Sequence, residues 1–304
     1  MSETGRDRAA GVRWLSAARV MGLALSIGCC VWVGWALRRE IGQGELEVRG
    51  SQLILPFAVA VLGAILVNAC LGLIWRELVV AQGIALSMRD SIGLSWRVQI
   101  AKYIPGNVFH FAGRIALADQ LGVSRGVAMR ATLLEPIIML LVAAVISVRW
   151  WSSEIGGGWV WPAAGIAAVS IGGWIVRKHW LADKVGWSMS GSGAARTLIT
   201  VVVLFGFLGL MFSLFLPVVN DAVERPWLTV WAMTTFSWAV GFVAVGAPGG
   251  LGVREATLTL FAINPVDRHA LMLVGVLTRA AMLVGDAVSL ALSALIFPAS
   301  AKRG

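Results

Sequence analysis

Long uncharged runs alternate with short polar connections along most of this 304-residue chain. Residues 53–75, 155–176, 197–220 and 226–253 contain no Asp, Glu, Lys or Arg. At 1.5 Å rise per residue, about 20 apolar residues cross the hydrocarbon core as a helix. The pattern predicts seven spans, roughly 20–37, 53–75, 131–151, 159–176, 197–219, 228–247 and 271–297. These runs have almost no polar face, which argues against the buried helices of a large soluble enzyme. The expected architecture is an all-α polytopic integral membrane bundle, a single transmembrane domain over residues 1–304.

Two stretches are too polar for ordinary spans, residues 91–122 and 246–269. Each has an apolar piece, a Pro-Gly break and charged residues shortly after it. Non-helical backbone at membrane depth persists only where protein buries it or where it lines a wet cavity. Re-entrant or broken half-helices are therefore expected, with breaks at Pro105-Gly106 and at Pro248-Gly249-Gly250. The alternative is an amphipathic helix lying on the surface.

The two stretches also echo each other, in repeat-like halves of about 91–151 and 246–297. In the first, the break is followed by Arg114, then Gly122-Val123-Ser124, then Leu134-Glu135 within a span. In the second it is followed by Arg254-Glu255, then Pro265-Val266-Asp267, then Thr278-Arg279 within a span. Pro105 precedes Glu135 by 30 positions and Pro248 precedes Arg279 by 31. Repeats in transporters place binding sites at discontinuous helices in matching positions.

Composition sharpens the membrane reading. The chain is 58% hydrophobic and 13% charged, where a soluble domain carries about a quarter charged residues. Its net charge of +9 fits cytoplasmic loops and anionic lipid headgroups rather than nucleic acid. The N-terminal arm (Arg6, Arg8, Arg13), residues 76–130 and residues 177–196 are basic, and the intervening connections are near neutral. Positive-inside logic puts the N-terminus in the cytoplasm of a cell-membrane protein, with residues 20–37 as a retained first helix. Seven crossings leave Lys302 and Arg303 outside, and an eighth would bring them inside. Trp14, Trp75, Trp150, Trp151, Trp159 and Trp227 stand near span ends, where an interfacial belt is expected. Cys29, Cys30 and Cys70 lie within spans and read as packing residues. His110, His179 and His269 have no metal-ligand spacing, so neither a metal nor a cofactor is expected.

Ionisable side chains inside spans are functional hypotheses by default. Glu135, beside Pro136, lies in the third of these spans, and Arg279 and Asp286 share one face of the last. The economical expectation is that Glu135 meets Arg279 at the bundle centre, with Glu135 and Asp286 available to relay protons or charge. A pair that merely locks helices together is the alternative. Arg114, Arg254 and Glu255 follow the breaks, where half-helix N-termini and guanidinium forks favour phosphate. Gly249, Gly250 and Gly252 would let backbone approach a headgroup. Against this stands a reading of Arg114 and Arg254 as snorkelling interfacial residues.

Lys102-Tyr103-Ile104-Pro105-Gly106, with Arg114, Gly122-Val123-Ser124 and Glu135, resembles the first signature of the lysylphosphatidylglycerol synthase transmembrane, or flippase-like, family. Ala247-Pro248-Gly249-Gly250-Leu251-Gly252-Val253-Arg254-Glu255, with Arg279, resembles its second. The similarity runs over about residues 14–297. In two-domain members the membrane domain is associated with moving an aminoacylated phospholipid between leaflets, and a cytosolic domain makes that lipid. The resemblance implies the transport half here, without the aminoacyltransferase, and leaves the lipid open.

The sequence thus points to a lipid translocase whose groove holds Arg114, Glu135, Arg254, Glu255 and Arg279. Anionic membrane lipids, and an enzyme that supplies the lipid, are the expected partners. No phosphate loop of the GxxxxGK[ST] type occurs, so direct ATP coupling is not expected. The alternatives are a membrane-embedded transferase on a lipid-linked substrate, with Glu255 as base, and a non-transporting scaffold.

Overall fold

A computed structural model describes residues 31, 35, 50–104, 108–154, 189–219, 226–244, 247–261 and 265–296. Among these residues every regular element is helical: α1 (Gly50–Val80), α2 (Met88–Val98), α3 (Phe109–Ala118), α4 (Arg125–Glu154), α5 (Gly191–Val219), α6 (Trp227–Val243), α7 (Val253–Leu258) and α8 (Pro265–Ile296). Short 3-10 turns occupy Gln99–Tyr103, Asp119–Leu121, Pro248–Gly250 and Thr259–Phe261.

Four helices are long and apolar enough to cross a bilayer, over Gln52–Val80, Arg125–Val148, Gly191–Val219 and Arg268–Ile296. The apolar helix α6 is shorter, at 17 residues. That is the build of a membrane protein. The expected spans 20–37 and 159–176 lie outside the described residues, apart from Val31 and Trp35, which are helical. The break at Pro105-Gly106 also lies outside them, as do Cys29, Cys30 and His179.

Helix α1 outruns its apolar stretch because the charge at its end is compensated. Glu77 accepts from Arg76 at 2.6 Å and from Arg196 of α5 at 2.9 Å. This corrects the placing of Trp75 in an interfacial belt. With the helix continuing to Val80, Trp75 is only 1% exposed, and its indole N–H donates to Thr132 Oγ1 of α4 at 3.1 Å.

Helix α1 is the hub of the bundle, packing on α2, α4, α5 and α8. Its core partners include Phe205, Phe212 and Phe215 of α5 and Leu271 of α8, all fully buried. Between helices in lipid, close van der Waals packing of small residues replaces the hydrophobic drive available in water. A Cβ at Gly285 of α8 would stand 2.5 Å from the Ala64 Cβ of α1. One at Gly72 would stand 2.8 Å from the backbone of Ile92, so α2 rests directly on α1. Ser87 caps α2 by accepting from the Asp90 N–H at 3.0 Å.

Two stretches share one element order: 3-10 turn, short helix, 3-10 turn, long helix. In the first, Gln99–Tyr103 and α3 lead through Asp119–Leu121 to α4. In the second, Pro248–Gly250 and α7 lead through Thr259–Phe261 to α8. At ten residues, α3 is about 15 Å long, about half the hydrocarbon thickness. The leading turns of the two stretches touch each other.

Candidate functional site

Each short helix is fastened to the long helix that follows it by one buried ion pair. Arg114 of α3 pairs with Glu135 of α4, and the two are 1% and 3% exposed. Arg114 Nη2 also donates to Ser95 Oγ at 3.4 Å, and its guanidinium carbon lies 5.9 Å from the Trp75 ring centre. Snorkelling is thereby ruled out for Arg114. In the second stretch the signs are reversed: Glu255 of α7 accepts from Arg279 Nε of α8 at 3.3 Å.

This geometry corrects the expected pairing of Glu135 with Arg279. Each finds its partner within its own stretch, 21 residues away for Glu135 and 24 for Arg279. The reason is local: α3 folds back on α4, and α7 on α8, so the nearest opposite charge comes from the preceding short helix.

The Pro248–Gly250 turn supplies a second acceptor to Arg279, whose Nη1 donates to the Gly249 carbonyl at 2.7 Å. Gly249, Gly250 and Gly252 have φ of 57°, 71° and 75°, a region that glycine enters without the steric cost other residues meet. The close approach these glycines permit is taken up within the protein. A Cβ at Gly250 would stand 2.8 Å from the Gly241 carbonyl oxygen and 2.9 Å from Arg254 Nε.

Arg254 is seated against α6. Ser237 Oγ donates to its carbonyl at 2.7 Å, and its guanidinium carbon lies 5.8 Å from the Trp238 ring centre. Trp238 in turn stacks on Phe242, with ring centres 5.2 Å apart. At Gly241 a Cβ would fall 2.3 Å from Arg254 Cγ, so only glycine leaves room for that side chain.

Asp286 is the acceptor of a tight node. Lys102 Nζ lies 2.8 Å from Oδ2, and the Tyr103 hydroxyl donates to the same oxygen at 2.7 Å. Asn68 Nδ2 donates to Oδ1 at 2.8 Å. The node ties the Gln99–Tyr103 turn to α1 and α8.

The ion pairs border two neighbouring cavities. A cavity of about 70 Å³ is lined by Gln99, Lys102, His110, Arg114, Glu135, Gly249, Arg254 and Arg279, with Met139, Leu204 and Trp238 among its apolar walls. A second cavity, of about 50 Å³, shares Arg254, Arg279 and Trp238 with it and adds Glu255, Thr234 and Thr278. One buried water needs about 10–15 Å³, so each cavity has room for several waters or a small anion. Among the described residues, no three His, Cys, Asp or Glu side chains are grouped to hold a metal ion.

Of the five residues expected to line a groove, Arg114, Glu135, Arg254 and Arg279 border the first cavity and Glu255 the second. Sequence reasoning missed Lys102 and Tyr103 as site residues, although both stand in the first motif. It also missed Asn68, whose signal was a lone amide in the middle of an apolar run.

His110 of α3, 7% exposed, lines the same cavity beside Arg114.

Neither known protein families nor curated proteins of known function give a match to this chain.

Proposed function

We propose that this chain is a lipid translocase of the flippase or scramblase type, moving a polar or anionic phospholipid headgroup between leaflets of the cell membrane. One observation carries the reading: cations and carboxylates from both stretches border two neighbouring cavities that share Arg254 and Arg279, amid membrane-length helices. Charge at membrane depth is expensive and is kept where it lines a path or pairs with a partner. Here it does both.

In this reading the two stretches are re-entrant half-helices related by an internal repeat, and the complete bundle has seven or eight spans with a cytoplasmic N-terminus. The resemblance to the lysylphosphatidylglycerol synthase membrane domain supports the same function, with a separate enzyme supplying the lipid. The apolar wall of Met139, Leu204 and Trp238 would face acyl chains while the arginines face the headgroup. Movement is driven by the lipid's own gradient or by a proton gradient.

Reconstitution tests the proposal. Purified protein in liposomes should move labelled phosphatidylglycerol between leaflets faster than a labelled neutral lipid. Arg279→Ala protein, shown to be folded, should lose that movement, because Arg279 borders both cavities and holds Glu255 and the Gly249 carbonyl. No movement of either lipid, with or without an imposed proton gradient, would refute the function.

A further inference from the structure

Among the described residues, four cations stand around the two cavities and the neighbouring node: Lys102, Arg114, Arg254 and Arg279. Three carboxylates answer them, pairing Lys102 with Asp286, Arg114 with Glu135 and Arg279 with Glu255. Arg254 is left over. Among the described residues no carboxylate lies within ion-pairing distance of its guanidinium. Its Nε and the Nη2 of Arg279 are buried donors without an acceptor, and both side chains border both cavities.

Arg254 is part-buried, open on its guanidinium end but with its Nε enclosed, and a buried N–H without an acceptor is unfavourable. Yet Arg254 is held in place by Gly241, by the Ser237 hydroxyl and by the stacked face of Trp238. A side chain so firmly seated, with its charge unspent, matches an anion that comes from outside the protein.

We infer that Arg254 and Arg279 form a subsite for one phosphate-type oxyanion, whose single negative charge completes the balance of the cavity. Guanidinium groups suit it because their planar N–H forks match the spacing of phosphoryl oxygens. Glu255 Oε2, also buried and without a donor, borders the second cavity beside both arginines. It accepts from a hydroxyl or ammonium carried next to the phosphate. The inference rests on the lipid reading for the source of the anion, a phosphodiester headgroup, and free phosphate is the other source of the same chemistry.

The test is binding to the full-length protein in detergent, measured by titration calorimetry with three probes. These are short-chain dihexanoyl phosphatidylglycerol, dihexanoylglycerol without the phosphate, and inorganic phosphate. The phospholipid should bind at least about tenfold more tightly than the diglyceride, and Arg254→Gln should weaken it by at least about tenfold, as expected for one charged hydrogen-bonding partner. Gly241→Ala keeps every charge but crowds Arg254 from its seat, and should weaken the phospholipid likewise. That second variant decides the matter if Arg254→Gln fails to fold.

Equal binding of phospholipid and diglyceride, or wild-type phospholipid binding by both variants, would overturn the subsite. Inorganic phosphate that binds as tightly as the phospholipid, and through Arg254, keeps the subsite but assigns it to free phosphate. That result counts against the translocase. Conversely, Arg254→Gln protein that moves lipid in liposomes at the wild-type rate keeps the translocase and removes the subsite.

Discussion

Replacing Arg114 with methionine is expected to destabilise the protein by about 3–5 kcal/mol, the loss typical when one member of a buried ion pair is removed. Glu135 would be left 3% exposed among apolar residues with its charge uncompensated. Ser95 and the Trp75 face would lose their contact with the guanidinium as well. Adding Glu135→Leu should recover most of that loss, since well-packed apolar residues often replace a buried pair at little cost in stability. Unfolding of the detergent-solubilised protein by added SDS reads both effects. An Arg114→Met protein as stable as the wild type would show that the pair does not form.

Loss of the Asp286 carboxylate should be felt about as strongly. Asp286→Ala strands the Lys102 ammonium and the Tyr103 hydroxyl and leaves the Asn68 amide only its 3.2 Å bond to Ser289, in a place where Asp286 itself is only 1% exposed. A fall of about 3–5 kcal/mol is expected for the unpaired charge alone. Asp286→Asn keeps one acceptor oxygen, enough for one of the two hydrogen bonds, but not the charge, and should fall between Asp286→Ala and the wild type. Lys102→Met added to Asp286→Asn should recover stability, because it removes the stranded cation. The same unfolding experiment decides it. Equal stability of Asp286→Ala and Asp286→Asn would mean that the hydrogen bonds contribute nothing.

Much of this arrangement was legible in the sequence, and the reason is physical. A run such as 197–219 has no choice at membrane depth but to satisfy its backbone within a helix, and α5 covers it. Glu135, Arg279 and Asp286 stood out for the same reason, as charges in apolar runs. What sequence could not reveal was which charge meets which. Spacing places Glu135 and Arg279 at matched positions, but the pairing is decided by how α3 folds back on α4 and α7 on α8. Trp75 failed as a boundary mark because the helix end depends on Glu77, whose compensation by Arg196 arrives from 119 residues away. The seat of Arg254 was hidden for a similar reason. Gly241 lies in an apolar run where a glycine has no visible task until the guanidinium stem is seen against it.

The reversal of sign between the two stretches bears on function. In one, the short helix carries the cation and the long helix the carboxylate, and in the other the roles are exchanged. A single anion entering the first cavity therefore meets Arg114 from one short helix and Arg279 from the opposite long one. Arg254 alone stands outside this compensation, and it marks where the headgroup charge would be held.

The most direct measurement is lipid movement in liposomes by the Arg114→Met/Glu135→Leu protein, once its stability is shown to match the wild type. The pair borders the cavity, so a path through that cavity predicts that labelled phosphatidylglycerol moves far more slowly than with wild-type protein. Movement at the wild-type rate would mean that the buried charges only lock helices together, and would contradict their role as the route of the headgroup.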